Sequence, residues 1–312
     1  MAPLFLPAVP LFGFDQRWRA FQWKGLSFEN PIGVAGGVDK SGKSLKHWQR
    51  LGAGFLEVGT VTPLPQSPNP GTIMMRSLPE AALWNKMGFP SPGLDTVEKS
   101  LSAFQKVKTS PLFVNIGKNR DTPNGKAHED YITCLQRLNP FADVFVVNIS
   151  SPNTKGLRDL QESAALQKFL EPIDKARKEL PALRPLLLKI SPDLSEQSLK
   201  VVLQVSLPFV EGWILTNTTN DRSQVKDFPI EGGVSGRPLR QKSRAFLKTT
   251  MEILGEDRKG KLIVSAGGVD SAQEVQTRLS LGADLVQSYS ALVFEGPYFF
   301  AKTLRNLRAL SR

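Results

Sequence analysis

The sequence predicts an α/β fold: a (β/α)8 TIM barrel with a short N-terminal extension and long active-site loops. Three observations carry that expectation. Short β-rich apolar runs alternate with helical patterns from one end of the chain to the other. No Pro/Gly/Ser-rich linker divides the series, and every apolar run ends in a polar residue or a glycine pair. The 312 residues suffice for one large domain, read as 25–312, behind an extension over 1–24.

The first strand is expected over 31–35, closing in Gly36-Gly37 ahead of Lys40, with its helix over 43–51. The second, 54–58, leads to Thr60; its helix, 93–106, follows an interruption over 62–92. Strand 112–116 carries Asn115 and precedes a helix over 125–138. Strand 144–149 drives Val144-Phe-Val-Val147 into the cluster Asn148-Ile-Ser-Ser-Pro-Asn-Thr154, and helix 164–178 follows. Strand 186–190 carries Lys189 and precedes helix 195–205. Strand 212–216 ends at Asn217, and helix 241–254 follows a second interruption, 217–238. Strand 262–266 ends in Gly267-Gly268 before helix 272–281; strand 284–288 ends in Tyr289-Ser290 before a last helix over 297–310. Structureless interruptions of that length are usually functional lids or binding loops. Because both follow strands, they belong on the C-terminal face, where barrel active sites lie.

At 40% hydrophobic and 22% charged residues the composition is that of a soluble globular chain. No apolar run approaches the ~20 residues that span a bilayer. The apolar start carries three prolines in its first ten residues and no basic n-region, unlike a secretory signal. Cys134 is the only cysteine, which forbids an internal disulfide; with only His47 and His128 besides, no metal site is expected. The formal charge of +11 suits an anionic partner, an acidic membrane surface or a phosphorylated ligand. Without a long basic run or aromatic-interleaved motif, nucleic acid is not expected as a partner.

Asn, Ser and Pro are ordinary turn residues, and any one of these strand ends reads as a turn. Polar ends on all eight strands describe a polar ligand site. Ser265-Ala-Gly-Gly-Val-Asp-Ser271 lets backbone approach a phosphate, with Asp270 or Ser271 capping the next helix. A phosphate site after strands seven and eight recurs in this fold, and the 232–238 segment offers a further backbone N–H. Amide side chains each carry one acceptor and two donors, so several converging asparagines match a ring edged with N–H and C=O, and Asn85 in its long loop can close over it. Lys40 and Lys189 at strand ends can stabilise ligand charge, whereas Lys43, Lys46 and Lys118 read as solvated surface. Cys134 falls in a helix pattern and reads as packed; His47 and His128 fall on helix surfaces. Gly37-Val-Asp-Lys-Ser-Gly-Lys-Ser44 also matches the phosphate-loop pattern of nucleotide hydrolases, but no strand ends in the acidic residue that would support magnesium.

The blocks Asn30-Pro-Ile-Gly-Val-Ala-Gly-Gly-Val-Asp-Lys40, Glu57-Val-Gly-Thr-Val-Thr-Pro63, Asn85-Lys-Met-Gly-Phe89 and Asn115-Ile-Gly-Lys-Asn119 resemble dihydroorotate dehydrogenase of the membrane-associated, quinone-using class 2. The resemblance continues through 148–161, Thr216-Asn-Thr-Thr219, 232–239 and Val286-Gln-Ser-Tyr-Ser290, covering the chain from about Gly25 onward. It implies an FMN-containing barrel that oxidises dihydroorotate to orotate in pyrimidine synthesis. Ser151 is then the base for the C5 proton; a free serine is a poor base, so a closed loop and a neighbouring acceptor are required. Lys40, Asn85, Lys86, Met87, Gly88, Phe89, Asn148, Asn153, Asn217 and Thr218 are implied around the substrate. Gly36, Gly37, Lys40, Thr60, Asn115, Asn148, Lys189 and Thr216 are implied at the flavin, with Gly236, Gly267, Gly268, Tyr289 and Ser290 at its phosphate.

A quinone acceptor and a peripheral place on the cytoplasmic side of the cell membrane also follow from the resemblance, with the cytoplasm as the alternative. Residues 1–24 are shorter than the class's two-helix quinone segment and leave room for one amphipathic helix bearing Phe14, Trp18 and Phe21, with Arg17 and Arg19 nearby. The competing readings are an FMN barrel with a soluble acceptor or an RNA uridine substrate, a phosphate-loop hydrolase over 37–44, and a non-catalytic barrel that binds a phosphorylated ligand.

Overall fold

The computed structural model describes residues 15–154 and 156–310. Its strands are β1 (Phe21–Trp23), β2 (Leu26–Phe28), β3 (Ile32–Val34), β4 (Leu56–Val61), β5 (Met74–Ser77), β6 (Ala82–Asn85), β7 (Leu112–Ile116), β8 (Val144–Asn148), β9 (Leu186–Ile190), β10 (Gly212–Leu215), β11 (Gly233–Gly236), β12 (Leu262–Ala266) and β13 (Leu285–Ser288). The helices are α1 (Leu45–Arg50), α2 (Leu94–Gln105), α3 (Ala127–Leu138), α4 (Ser163–Lys178), α5 (Glu196–Ser206), α6 (Arg240–Leu254), α7 (Ala272–Ser280), α8 (Ser290–Phe294) and α9 (Phe299–Leu310). Eight strands form one parallel sheet in the order β3-β13-β12-β10-β9-β8-β7-β4. A parallel bridge from Gly33 to Phe55, with Val34 N–H donating to Phe55 O at 3.2 Å, brings its two edges together into a barrel. The expected (β/α)8 architecture is the one observed, with element ends moved by at most three residues.

Strand parity sorts the core. The strands are buried on both faces, as in any helix-covered parallel sheet. Phe145 and Val147 of β8 face the helices with Leu112 and Val114 of β7. Val144, Val146, Phe55, Phe113, Leu187, Ile214, Leu262, Val264 and Leu285 point inward as a separate apolar cluster. Continuing that inward parity toward the C-terminal ends, the residues become Glu57, Asn115, Asn148, Lys189 and Gln287. The barrel is therefore oily below and polar on top, where the site forms.

Two expectations need correction. The 15–24 stretch is no helix: β1 and β2 form an antiparallel hairpin, Phe21 paired with Phe28, while Phe14 and the rest of 1–14 lie outside the described residues. Phe28 stacks on Phe21 at 4.8 Å and meets Phe55 and Phe113 edge-on, so the hairpin closes the barrel floor. The aromatics at 18 and 21 suit a helix face, but burying Phe28 against barrel rings outweighs that local periodicity. Nor are the long interruptions structureless: β5 and β6 from the first pair with β11 from the second in a three-stranded antiparallel sheet. These strands are only four residues long and β5 is largely exposed, which is why their apolar pattern is faint.

Candidate active site

The strand ends and the sheet of β5, β6 and β11 enclose a cavity of about 930 Å³, counting its open mouth. Ser151 and Lys189 share it with Gly36, Gly37, Lys40, Thr60, Asn85, Met87, Gly88, Phe89, Asn148, Asn153, Thr216, Asn217, Thr218, Gly267, Gly268, Tyr289 and Ser290. Most of the residues expected at a ligand thus line one cavity. Three stand elsewhere. Asn115 lies behind the wall, accepting from Thr60 Oγ1 at 2.6 Å and donating to Glu57 at 2.6 Å. Lys86 pairs with Glu231 at the rim. Gly236 (φ +90°) backs onto Ala81, whose carbonyl oxygen an added Cβ would meet at 2.2 Å.

The amides brace one another. Asn148 Nδ2 donates to Thr60 Oγ1 at 3.0 Å, and Asn217 Nδ2 donates to Ser150 Oγ at 2.9 Å. Asn153 Nδ2 donates to Asn85 Oδ1 at 2.9 Å, tying the loop after β8 to the end of β6. Ser151 is buried, and its Oγ accepts from Asn153 N–H at 3.2 Å; among the described residues no acceptor takes its own proton. Buried polar atoms normally find partners; Asn153 Oδ1, Thr218 Oγ1 and Gln287 Oε1, all on cavity-lining residues, have none among the described residues.

Charge points the same way. Among the described residues no acceptor meets Lys40 Nζ. Burial, with the Lys189 ammonium as the second cause, pulls the Lys40 pKa from 10.5 down to about 8. Two lysines facing one cavity, with a single carboxylate behind them, call for an anionic ligand.

Other expectations resolve clearly. In the stretch resembling a phosphate loop, the Asp39 carboxylate accepts from the N–H groups of Ser41, Gly42 and Ser44 at 3.2, 2.8 and 2.7 Å. The amides that would cradle a phosphate there are already taken. Cys134 is fully buried in α3 with Sγ 3.8 Å from Val61 O, and burial pushes its thiol pKa well up. It is packed, as expected, and far from serving as a rim nucleophile. Ser271 caps α7, accepting from Glu274 N–H at 3.2 Å. Lys118 is not surface decoration: it is 2% exposed and donates to the carbonyls of Asn119 and Thr122, because the loop after β7 turns its own oxygens inward.

Sequence reasoning missed Glu57, Gln287, Ser235 and Arg158. Glu57 and Gln287 were detectable: each is a polar residue inside an apolar run at the same parity as inward-facing neighbours. Arg158 was not, since its three anchors, Ser150 O, Asp193 and Thr218 O, come from separate loops.

Fold and site together define a (β/α)8 barrel whose mouth is lined to suit a polar, anionic ligand. The family described as dihydroorotate dehydrogenase matches residues 20–310. Among relatives, a dihydroorotate dehydrogenase (quinone) from Thermus thermophilus is 43% identical over 312 residues, covering 98% of this chain and 87% of that protein. One of the same name from Vibrio cholerae is 40% identical over 298 residues, covering 93% and 87%. The crystal structure of DHODH from Eimeria tenella in complex with ferulenol superimposes with a TM-score of 0.86 at 31% identity, covering 93% of this chain and 84% of that one. The chain belongs to the dihydroorotate dehydrogenase family.

Proposed function

We infer that this chain oxidises dihydroorotate to orotate in pyrimidine biosynthesis, with FMN as its flavin and a quinone as electron acceptor. Family membership and relatives named for quinone support the reading. The observation that carries it is the single cavity shared by Ser151, two lysines and a set of braced amides. The wall suits a flavin phosphate and a flat ring system. Gly37 (φ +94°) stands where an added Cβ would come within 3.3 Å of the Tyr289 ring. At Gly268 (φ +73°) any Cβ would collide with Arg240 at 2.7 Å, so backbone alone faces the ligand there.

Gly267, Gly268, Tyr289 and Ser290 would hold the phosphate, with Gly236 supporting the adjoining strand. Gly36, Gly37, Thr60, Thr216 and Lys189 would line the ring system, and Asn148 and Lys40 would reach both flavin and substrate. Asn115 acts from behind by fixing Thr60 and Asn148. Asn85, Asn153, Asn217 and Thr218 match the donors and acceptors of the pyrimidine, and Lys40 its carboxylate. FMN, when bound, supplies the acceptor for the hydride that leaves C6. Ser151 Oγ would take the proton from C5 as its own hydroxyl proton passes on to solvent, its rotamer held by Asn153 N–H.

Met87, Gly88 and Phe89 cover the site. Gln66 Nε2 pins that loop through the Gly88 and Phe89 carbonyls at 2.9 and 3.0 Å, and Lys86 anchors its outer edge to Glu231. Such a cover keeps bulk water from the reacting ring. The RNA-uridine alternative needs a cysteine on the rim, and Cys134 is buried within α3. Quinone chemistry places the protein peripherally at the cytoplasmic face of the membrane, where its net positive charge favours anionic lipid. Among the described residues no helix is long and apolar enough to cross a membrane.

Ser151→Ala tests the assignment. Anaerobic bleaching of the flavin by dihydroorotate should slow by about 10²–10⁴ while FMN stays bound, the usual worth of positioned proton transfer. Bleaching at the wild-type rate would remove Ser151 from the mechanism.

A further inference from the structure

Glu57 is wholly buried inside the barrel, directly below the cavity. Three donors converge on its carboxylate: Asn115 Nδ2 at 2.6 Å, Gln287 Nε2, and Lys189 Nζ at 3.5 Å. All three partners donate, an arrangement that suits the ionised carboxylate and leaves no role for a carboxyl proton. Because Gln287 gives its N–H to Glu57, its Oε1 is the other end of the amide, and that atom is buried without a partner among the described residues. Gly36 sits against the same carboxylate, and an added Cβ there would meet Oε1 at 2.0 Å. An isolated buried carboxylate is costly to hold, and Lys189 is the ammonium that pairs with this one.

We propose that Glu57 is a positioning residue and fixed counter-charge: it holds Lys189 and the Gln287 amide against the flavin and weakens the pull of Lys189 on the reduced, negatively charged flavin. This rests on the flavin reading above. Glu57 touches neither substrate nor reacting atoms, and it acts through the field at the cavity floor, which sharpens in a medium of low polarity.

The test is the midpoint potential of the FMN-loaded protein, read by anaerobic equilibration with a reference dye. Glu57→Gln keeps the shape and removes the charge. The two-electron reduction equilibrium should shift at least tenfold toward the reduced flavin, a rise of about 30 mV, while Glu57→Asp, which keeps the charge, should stay near wild type. An unchanged potential in a flavin-loaded Glu57→Gln protein overturns the proposal. If Glu57→Gln does not retain flavin, Glu57→Asp decides: flavin retained at a near-wild-type potential supports a role for the charge, and flavin lost from Glu57→Asp as well refutes it. A wild-type protein that takes up no FMN, by contrast, defeats the functional reading itself and is recognised before any variant is made.

Discussion

Lys40 shows how a single residue can report on its ligand. Its ammonium is disfavoured by burial and by Lys189, so its pKa falls to about 8. An anion bound beside it favours the charged form and raises that pKa again. The sign follows directly. Below pH 8 Lys40 is already protonated and affinity is flat; above it, binding must take up a proton. The dissociation constant of orotate for the FMN-loaded protein should therefore rise between pH 8 and 9, approaching tenfold per unit. Calorimetric titration in buffers of different ionisation enthalpy would show the proton uptake, and constant affinity from pH 7 to 9 would exclude Lys40 as the partner of the carboxylate. Ser151, one residue beyond Ser150, depends in the same local way on the Asn153 N–H that holds its hydroxyl.

Loops carry the site, and elements hold the loops. Arg158, in the turn before α4, donates to Ser150 O at 3.1 Å, Asp193 at 3.0 Å and Thr218 O at 3.1 Å. It thereby joins the loops that follow β8, β9 and β10. Asp193 is itself held by Lys242 and Thr219, and its hydrogen bonds and that ammonium outweigh burial to lower its pKa. Lysine cannot reproduce a planar three-way fork. Arg158→Lys should retain flavin yet lose about 10–100-fold in kcat/KM for dihydroorotate, as small misplacements of catalytic groups do; steady-state kinetics with an unchanged value would show that the three loops hold their geometry unaided. Elements were legible in proportion to their apolar contrast. The eight barrel strands read easily because both faces are buried. Strands β5, β6 and β11 did not, since Met74 and Met75 are exposed and the pairing partner lies some 150 residues away.

The whole molecule divides its labour along the barrel axis. At the floor, Phe28 is 1% exposed among Phe21, Phe55 and Phe113, and Phe28→Ala should lower unfolding stability by about 3–5 kcal/mol in a urea titration. Dihydroorotate-driven flavin reduction should be unchanged in the folded variant, because the polar layer lies at the opposite end; a slowed rate would mean that floor and mouth are coupled. The residue order by itself determined the barrel, the rim that carries the site and the packed state of Cys134, since strand period, strand-end polarity and helix pattern are local properties. Only the tertiary structure decided that Asp39 occupies the would-be phosphate loop, that Lys118 turns inward, that 21–28 is a hairpin, and that Glu57 stands beneath Lys189. Those outcomes depend on which distant groups meet at hydrogen-bonding distance, and only the closing of the ring brings them there.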